Sequence, residues 1–215
     1  TSSAVDNIVP ANLRGPNNEW VALAKRARIM YYNPRTVSEA ELEGLTYEDL
    51  AKPEWNGRVV IRKSSNMYNQ SLVSSLVANH GVEATEAWAN GLVANMARKP
   101  EGNDRAQIMA VANGEADIAI ANSYYIGLML SGKKGDEQRA AARKVNLHFP
   151  SQAGRGAHIN VSGVGLMKNS PNKANAVKFI EFLLSDKAQE HIVNNTYEYP
   201  LSANVAPSDL IAQFG

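Results

Sequence analysis

The chain has 215 residues, of which 44% are hydrophobic and 20% are charged, an ordinary composition for a globular protein. Its net charge of +1 provides no field that would attract nucleic acid or an acidic membrane, and no apolar run approaches the roughly 18 residues that cross a bilayer. The sequence has no cysteine, which excludes disulfides, thiolate metal sites and cysteine nucleophiles. The first residues carry neither the basic nor the apolar segment of an export signal, so we expect any such signal to lie outside this sequence.

The predicted elements alternate between strand and helix along most of the chain. Residues 1–18 are rich in Pro, Gly and Asn and predict a turn-rich segment without helical periodicity. Residues 19–33 then predict a strand, which Pro34 ends. The remaining predicted elements are short helices after Ser38 and Thr46, strands at 58–61, 116–120 and 145–150, an extended run at 157–168, and helices that end at Gly81 or cover 85–96, 105–112, 126–130, 135–145, 172–184 and 186–193.

This alternation indicates an α/β fold. Over residues 58–149 it predicts a parallel or mixed sheet with helices on both faces. The two long extended runs that flank this region are typical of crossover strands between two lobes. We therefore predict that residues 31–154 form one lobe, and that 1–30 with 155–215 form the crossover strands and part of the other. Those flanking segments cannot easily make a complete sheet, so we expect that lobe to be incomplete in this chain.

Two adjacent tyrosines, Tyr124 and Tyr125, stand where a buried strand is predicted to give way to a helix. Ligands of open α/β sheets bind at this end of the strands. Phenolate oxygens suit a hard, highly charged cation, although a phenol with a pKa of roughly 10 ionises near neutrality only with help from the metal and from a helix amino terminus. Taken alone, the pair is more simply explained by a structural role, in which the rings pack and the hydroxyls form hydrogen bonds.

Other candidate residues give weaker signals. His80, His148, His158 and His191 show no metal-ligand spacing and are interpreted as structural or surface residues. A second adjacent pair, Tyr31 and Tyr32, falls within a predicted strand, where successive side chains point to opposite faces. Packing is therefore the predicted role of this second pair.

Several runs of sequence, in this order along the chain, resemble one protein family. The chain is similar to the ferric-iron-binding periplasmic proteins of bacterial ABC importers, the FbpA/FutA type. The similarity extends over nearly the whole sequence, and a series of this kind is far more specific than a tyrosine pair alone. The runs that carry it are Val9 to Arg14, Lys25 to Arg28, Ser64 to Ser71, Arg98 to Asp104, Gly114 to Ala119, Asn122 to Tyr125, Asn160 to Gly163 and Phe179 to Ser185.

The resemblance implies a type II periplasmic solute-binding fold whose two lobes close on one Fe(III). Tyr68, Tyr124 and Tyr125 match the metal ligands of the tyrosine-rich members, and Arg28 matches an arginine that faces the cleft, either behind the ligands or beside a synergistic anion such as carbonate. The resemblance further implies a monomeric, non-enzymatic periplasmic protein that delivers iron to an ABC permease at the inner membrane. Relatives also draw ligands from a first-lobe segment that this sequence lacks.

A second hypothesis stays open at this point. The same cleft, with Arg28 and the helix amino termini, could serve a solute-binding protein or an α/β enzyme for a small organic anion. A visible phenolate-to-iron charge-transfer colour on addition of ferric salt would separate the two hypotheses.

Overall fold

The structure is a computed structural model, and it describes residues 2–214. Its strands are β1 (Trp20–Tyr32), β2 (Val59–Val60), β3 (Ile118–Asn122), β4 (Asn146–His148) and β5 (Ile159–Gly165). Its α-helices are α1 (Ser3–Ile8), α2 (Glu39–Leu42), α3 (Met67–His80), α4 (Val82–Ala94), α5 (Asp104–Ala112), α6 (Tyr124–Leu130), α7 (Asp136–Ala142), α8 (Lys173–Leu183), α9 (Asp186–Thr196) and α10 (Asp209–Ala212). Short 3₁₀ helices cover Ala11–Leu13, Glu48–Ala51 and Pro53–Trp55.

The described residues fall into two compact units. The larger is Ala27–His158, and the smaller combines the residues before Ala27 with those from Ile159 onward. Strand β1 supplies its first half to the smaller unit and its second half to the larger one. No helix in the part of the chain that the structure describes is long and apolar enough to cross a membrane.

The sheet of the larger unit has the strand order β2, β3, β1, β4. Strands β2 and β3 run parallel, whereas β1 runs antiparallel to both β3 and β4. In this register Arg28 lies opposite Asn122, the last residue of β3. The prediction of an α/β fold with a parallel or mixed sheet is confirmed, and the sheet is mixed.

The core of the larger unit lies between the sheet and the helices that cover it. Alternate β3 residues Ile118 and Ile120 belong to the same buried cluster as Leu72 of α3 and Trp88 of α4. Helix α5 packs directly against β3, with Ile108 fully buried. The sheet is therefore held in place beneath the turn that leads into α6.

The smaller unit has its own apolar cluster, which includes Val5, Val21, Leu184 and Leu201. Gln189, which is fully buried, crosslinks this unit: its amide nitrogen donates to the carbonyl oxygens of Leu23 at 2.9 Å and of Leu183 at 3.0 Å, and its amide oxygen accepts from the backbone nitrogen of Leu201 at 2.8 Å. A buried amide with its donors and acceptor used in this way fixes the strand, the helix and the tail to one another.

Two sequence predictions of local structure were wrong, each for a local reason, and one helix lies where no element was predicted. Residues 1–18 do contain a helix, α1, because Ser2 accepts a hydrogen bond from the backbone of Val5 and the Val5 side chain is buried; six residues are too few to show a period. Helix α4 begins at Val82 rather than near residue 85, since Gly81, at φ +82°, ends α3 and starts α4 in one step. The tail forms α10, which is anchored by buried Ile211.

Candidate metal centre

The three tyrosines singled out in the sequence come together within the larger unit. Tyr124 and Tyr125 are the first two residues of α6, directly after β3, and their ring centroids lie 4.2 Å apart. Tyr68 stands in the first turn of α3, where the side chain of Asn66 accepts a hydrogen bond from its backbone nitrogen at 3.0 Å. The hydroxyl of Tyr124 donates to the hydroxyl of Tyr68 at 3.4 Å, across 56 positions of sequence.

The surroundings keep the phenols of the adjacent pair protonated. Burial raises the pKa of Tyr124 strongly, and the hydrogen bonds with Tyr125 and Tyr68 raise that pKa further. Burial also raises the pKa of Tyr125; the hydrogen bond with Tyr124 and the charge of Arg62 act against this, while the charge of Asp104 adds to it. A cation that binds these oxygens must therefore displace protons.

Asp104 ties two arginines together beside the tyrosines. Its carboxylate is fully buried and forms one ion pair with Arg28 and another with Arg62, whose Nη1 lies 2.8 Å from Oδ2. The Arg62 guanidinium also lies 5.8 Å from the ring centroid of Tyr68, within cation–π range. Two guanidinium charges stand against one carboxylate charge in this triad, but at Tyr125 the charge of Asp104 raises the phenol pKa more than the charge of Arg62 lowers it.

Arg28 was predicted to face the cleft, and the structure places its side chain in the interior, with 1% of its surface exposed. Besides Asp104, the guanidinium donates from Nη1 to the side-chain oxygen of Asn122 at 3.1 Å and from Nη2 to that of Asn69 at 2.6 Å. Asn122 lies two residues before Tyr124, and Asn69 directly follows Tyr68. Arg28 thus joins the two segments that carry the tyrosines.

The turn between β3 and α6 depends on Tyr31, which sequence reasoning assigned to packing. Tyr31 is fully buried, and its hydroxyl donates to the carbonyl oxygen of Asn122 at 2.8 Å, lies 3.1 Å from that of Ser123, and accepts from the backbone nitrogen of Ile126 at 3.2 Å. Ser123 exchanges two further hydrogen bonds with the backbone of Ala27. The position of Tyr31 within a buried strand was visible in the sequence, whereas the partner of its hydroxyl was not.

The histidines serve other contacts. His158 Nε2 lies 2.9 Å from the Ser71 hydroxyl, and burial lowers the pKa of His158, with the charge of Arg28 adding to that effect. Burial likewise lowers the pKa of His148, and His80 contacts Glu48. Within residues 2–214, no group of three His, Cys, Asp or Glu side chains could hold a metal ion.

Comparison with known proteins gives the family context. The family model described as bacterial extracellular solute-binding protein matches residues 2–212. Iron uptake protein A1 of Synechocystis is 52% identical over 214 residues, which is all of this chain and 59% of that protein. The chain thus spans about three fifths of the length of this relative.

Solved structures agree with the sequence comparison. The Trichodesmium protein IdiA (FutA), in complex with iron and citrate, superimposes with a TM-score of 0.96 at 49% identity, over all of this chain and 67% of that one. The ferric binding protein from Campylobacter jejuni gives a TM-score of 0.93 at 39% identity, again over all of this chain and 67% of that one. The fold is thus the type II solute-binding fold, and about a third of the neighbouring structures has no counterpart in this sequence, as predicted for the incomplete lobe.

Proposed function

Because the chain belongs to the family of bacterial extracellular solute-binding proteins, we propose that it binds Fe(III) through the phenolate oxygens of Tyr68, Tyr124 and Tyr125. The observation that supports this proposal is the convergence of three phenols from two helix starts, with the hydroxyls of Tyr124 and Tyr68 3.4 Å apart. Three phenolates cancel the charge of a ferric ion, so the loaded centre carries no net charge that would be costly to bury.

The charged triad supports this role through position rather than through charge. The charge of Asp104 raises the pKa of Tyr125 more than the charge of Arg62 lowers it, so the charge of the bound metal would have to ionise the phenols. Both Nη atoms of buried Arg28 are used by internal partners, so it acts by joining the two tyrosine segments rather than by direct contact with an anion.

Three phenolates leave further coordination positions of the ferric ion open. A small oxygen-rich anion such as carbonate or citrate would fill them, and citrate accompanies iron in the Trichodesmium neighbour. Arg62, whose side chain is 19% exposed, is the arginine of the triad that such an anion can reach.

In the cell, the protein would carry iron rather than transform it. The solute-binding family supports a role in the periplasm as the receptor that delivers Fe(III) to an ABC permease. Iron uptake protein A1 and the ferric binding protein of Campylobacter jejuni, by their names, support iron as the cargo.

Titration of the iron-free chain with ferric citrate tests the proposal. We expect a visible phenolate-to-iron charge-transfer band that saturates at one iron per chain. Tyr124→Phe and Tyr125→Phe should each weaken iron binding by more than about 100-fold. Loss of a residue that only supports a metal ligand already costs about 10–100-fold in affinity, and loss of a ligand itself should cost more. Tyr32→Phe is the matched control, since the hydroxyl of Tyr32 contacts Asn146 and no member of the triad or of the tyrosine cluster.

Two outcomes would contradict the proposal. If the protein stays colourless with ferric citrate and binds a small organic anion tightly, the organic anion rather than iron is its solute. A coloured complex that forms equally well in Tyr124→Phe and Tyr125→Phe would place the metal on other residues.

A further inference from the structure

A cavity lies in the larger unit, between helices α3 and α4. Its volume is about 460 Å³, within the range of roughly 300 to 1,000 Å³ that is typical of small-molecule sites. Most of its wall is apolar, from Ile61, Leu72, Trp88, Leu92 and Met96. Water gains few hydrogen bonds in such a space, so an apolar ligand body would displace it readily.

The cavity is open to solvent on one side. Val73 and Val93 both line it, and their side chains are 36% and 62% exposed. Exposed apolar side chains around an apolar cavity are typical of a surface that a ligand covers.

One part of the wall is positively charged. Arg62 lines the cavity and uses Nη1 for Asp104, while its Nη2 has no hydrogen-bond partner among residues 2–214. Asp104 already neutralises one charge by pairing with Arg28, so the pair of arginines retains one positive charge in excess. Neighbouring Asn69 is engaged with Arg28 and with the carbonyl oxygens of Arg62 and Lys63. The other polar lining residues, Ser64, Gln70 and Ser74, carry no charge, so Arg62 is the lining residue that attracts an anionic group.

We propose that this cavity binds small amphipathic organic anions. Their flat aromatic or branched aliphatic body packs against Trp88 and Leu92, and their carboxylate or sulfonate group meets Arg62. A charged hydrogen bond to a guanidinium is stronger than a neutral one, so the anionic group adds affinity to the apolar contact. The site uses no phenol oxygen, and it shares Arg62 with the anion that we propose for the iron centre, so the test uses the iron-free chain.

Anilinonaphthalene sulfonate, which combines an aromatic body with a sulfonate, is the probe, and the iron-free chain is the target. We expect its fluorescence to rise and saturate at one probe per chain. The uncharged analogue N-phenylnaphthylamine should bind about tenfold more weakly, a difference of one charge-assisted hydrogen bond. In Arg62→Gln the two probes should bind with similar affinity.

Two variants locate the probe. Ala89→Phe fills the cavity from α4 and should weaken binding of both probes by at least about tenfold. Ala87→Phe adds the same ring on the exposed side of α4, away from the cavity, and should bind like the parent. Val93→Glu places a negative charge at an exposed rim position, which folding tolerates, and should weaken the sulfonate probe more than the neutral one.

Circular dichroism of each variant shows whether it is folded. The proposal is overturned if the parent shows no saturable binding, if Ala87→Phe loses binding as much as Ala89→Phe, or if Val93→Glu and Ala89→Phe both bind the sulfonate probe like the parent. A parallel ferric titration of Ala89→Phe keeps this result separate from the iron proposal, because the tyrosine cluster is untouched in that variant.

Discussion

Replacement of Tyr31 by Phe removes one hydroxyl and leaves the ring in place. That hydroxyl serves the carbonyl oxygens of Asn122 and Ser123 and the backbone nitrogen of Ile126, all at the turn that presents Tyr124. The site is fully buried, so these backbone groups would lose a partner that water cannot replace. A buried polar group left unpaired costs about 1–3 kcal/mol, and we expect the free energy of unfolding to fall by about 2 kcal/mol.

Urea unfolding followed by circular dichroism measures this change. With a slope of about 2 kcal/mol per molar urea, the midpoint should fall by about 1 M. Tyr32→Phe is the control, since the hydroxyl of Tyr32 accepts one exposed hydrogen bond from Asn146 at 3.4 Å and its loss should cost a few tenths of a kcal/mol, about the effect of an ordinary surface change.

Tyr31→Phe should also weaken ferric binding, because the turn before Tyr124 loses the group that fixes it. Loss of such a supporting contact typically costs about 10–100-fold in metal affinity. Equal urea midpoints and equal iron affinities for Tyr31→Phe and Tyr32→Phe would refute the reasoning.

Two further predictions concern charge. Asp104→Asn should lower the free energy of unfolding, measured by urea titration, by about 3–5 kcal/mol, because two arginines lose their buried counter-charge. Glu101→Gln is the control: Glu101 forms an exposed pair with Arg98, and its loss should change the free energy of unfolding by less than about 1 kcal/mol. Similar losses in both variants would count against the triad. Iron should leave the protein as the pH falls. Because the pKa values of Tyr124 and Tyr125 are raised, iron binding displaces protons and acid favours release, so the visible band should disappear in mildly acidic solution before the circular dichroism changes. Iron retained until the protein unfolds would exclude phenolate ligands.

Local features of the fold were readable from the sequence where the signal is short-range. Ser38 with Glu41 predicted a capped helix, and the two side chains form the reciprocal capping hydrogen bonds. The change from strand to helix at Tyr124 was predicted from a short apolar run and the residues that follow it. Helix α1 was missed because one buried side chain, Val5, and a single cap hold it, and neither produces a periodic pattern.

The long-range contacts that hold the candidate site in place could not be predicted in this way. Asp104 and Arg28 are 76 positions apart, and the hydroxyl of Tyr31 meets a carbonyl oxygen 91 positions away. The contact of Tyr31 depends on the antiparallel register of β1 and β3, and that of Asp104 depends on how α5 packs against β3; periodicity specifies neither. Tyr68 entered the site through family resemblance, since its own sequence surroundings indicate only the start of a helix.

The triad of Arg28, Asp104 and Arg62 also constrains how this sequence can change over generations. Replacement of Arg28 or Asp104 alone strands a charge in the interior, whereas replacement of Arg62 leaves the buried Arg28–Asp104 pair balanced. A coordinated replacement of that pair by apolar residues of similar volume is often neutral for stability. We therefore expect Arg28 and Asp104 to change together, while Arg62 and the surface positions of the larger unit can change one at a time.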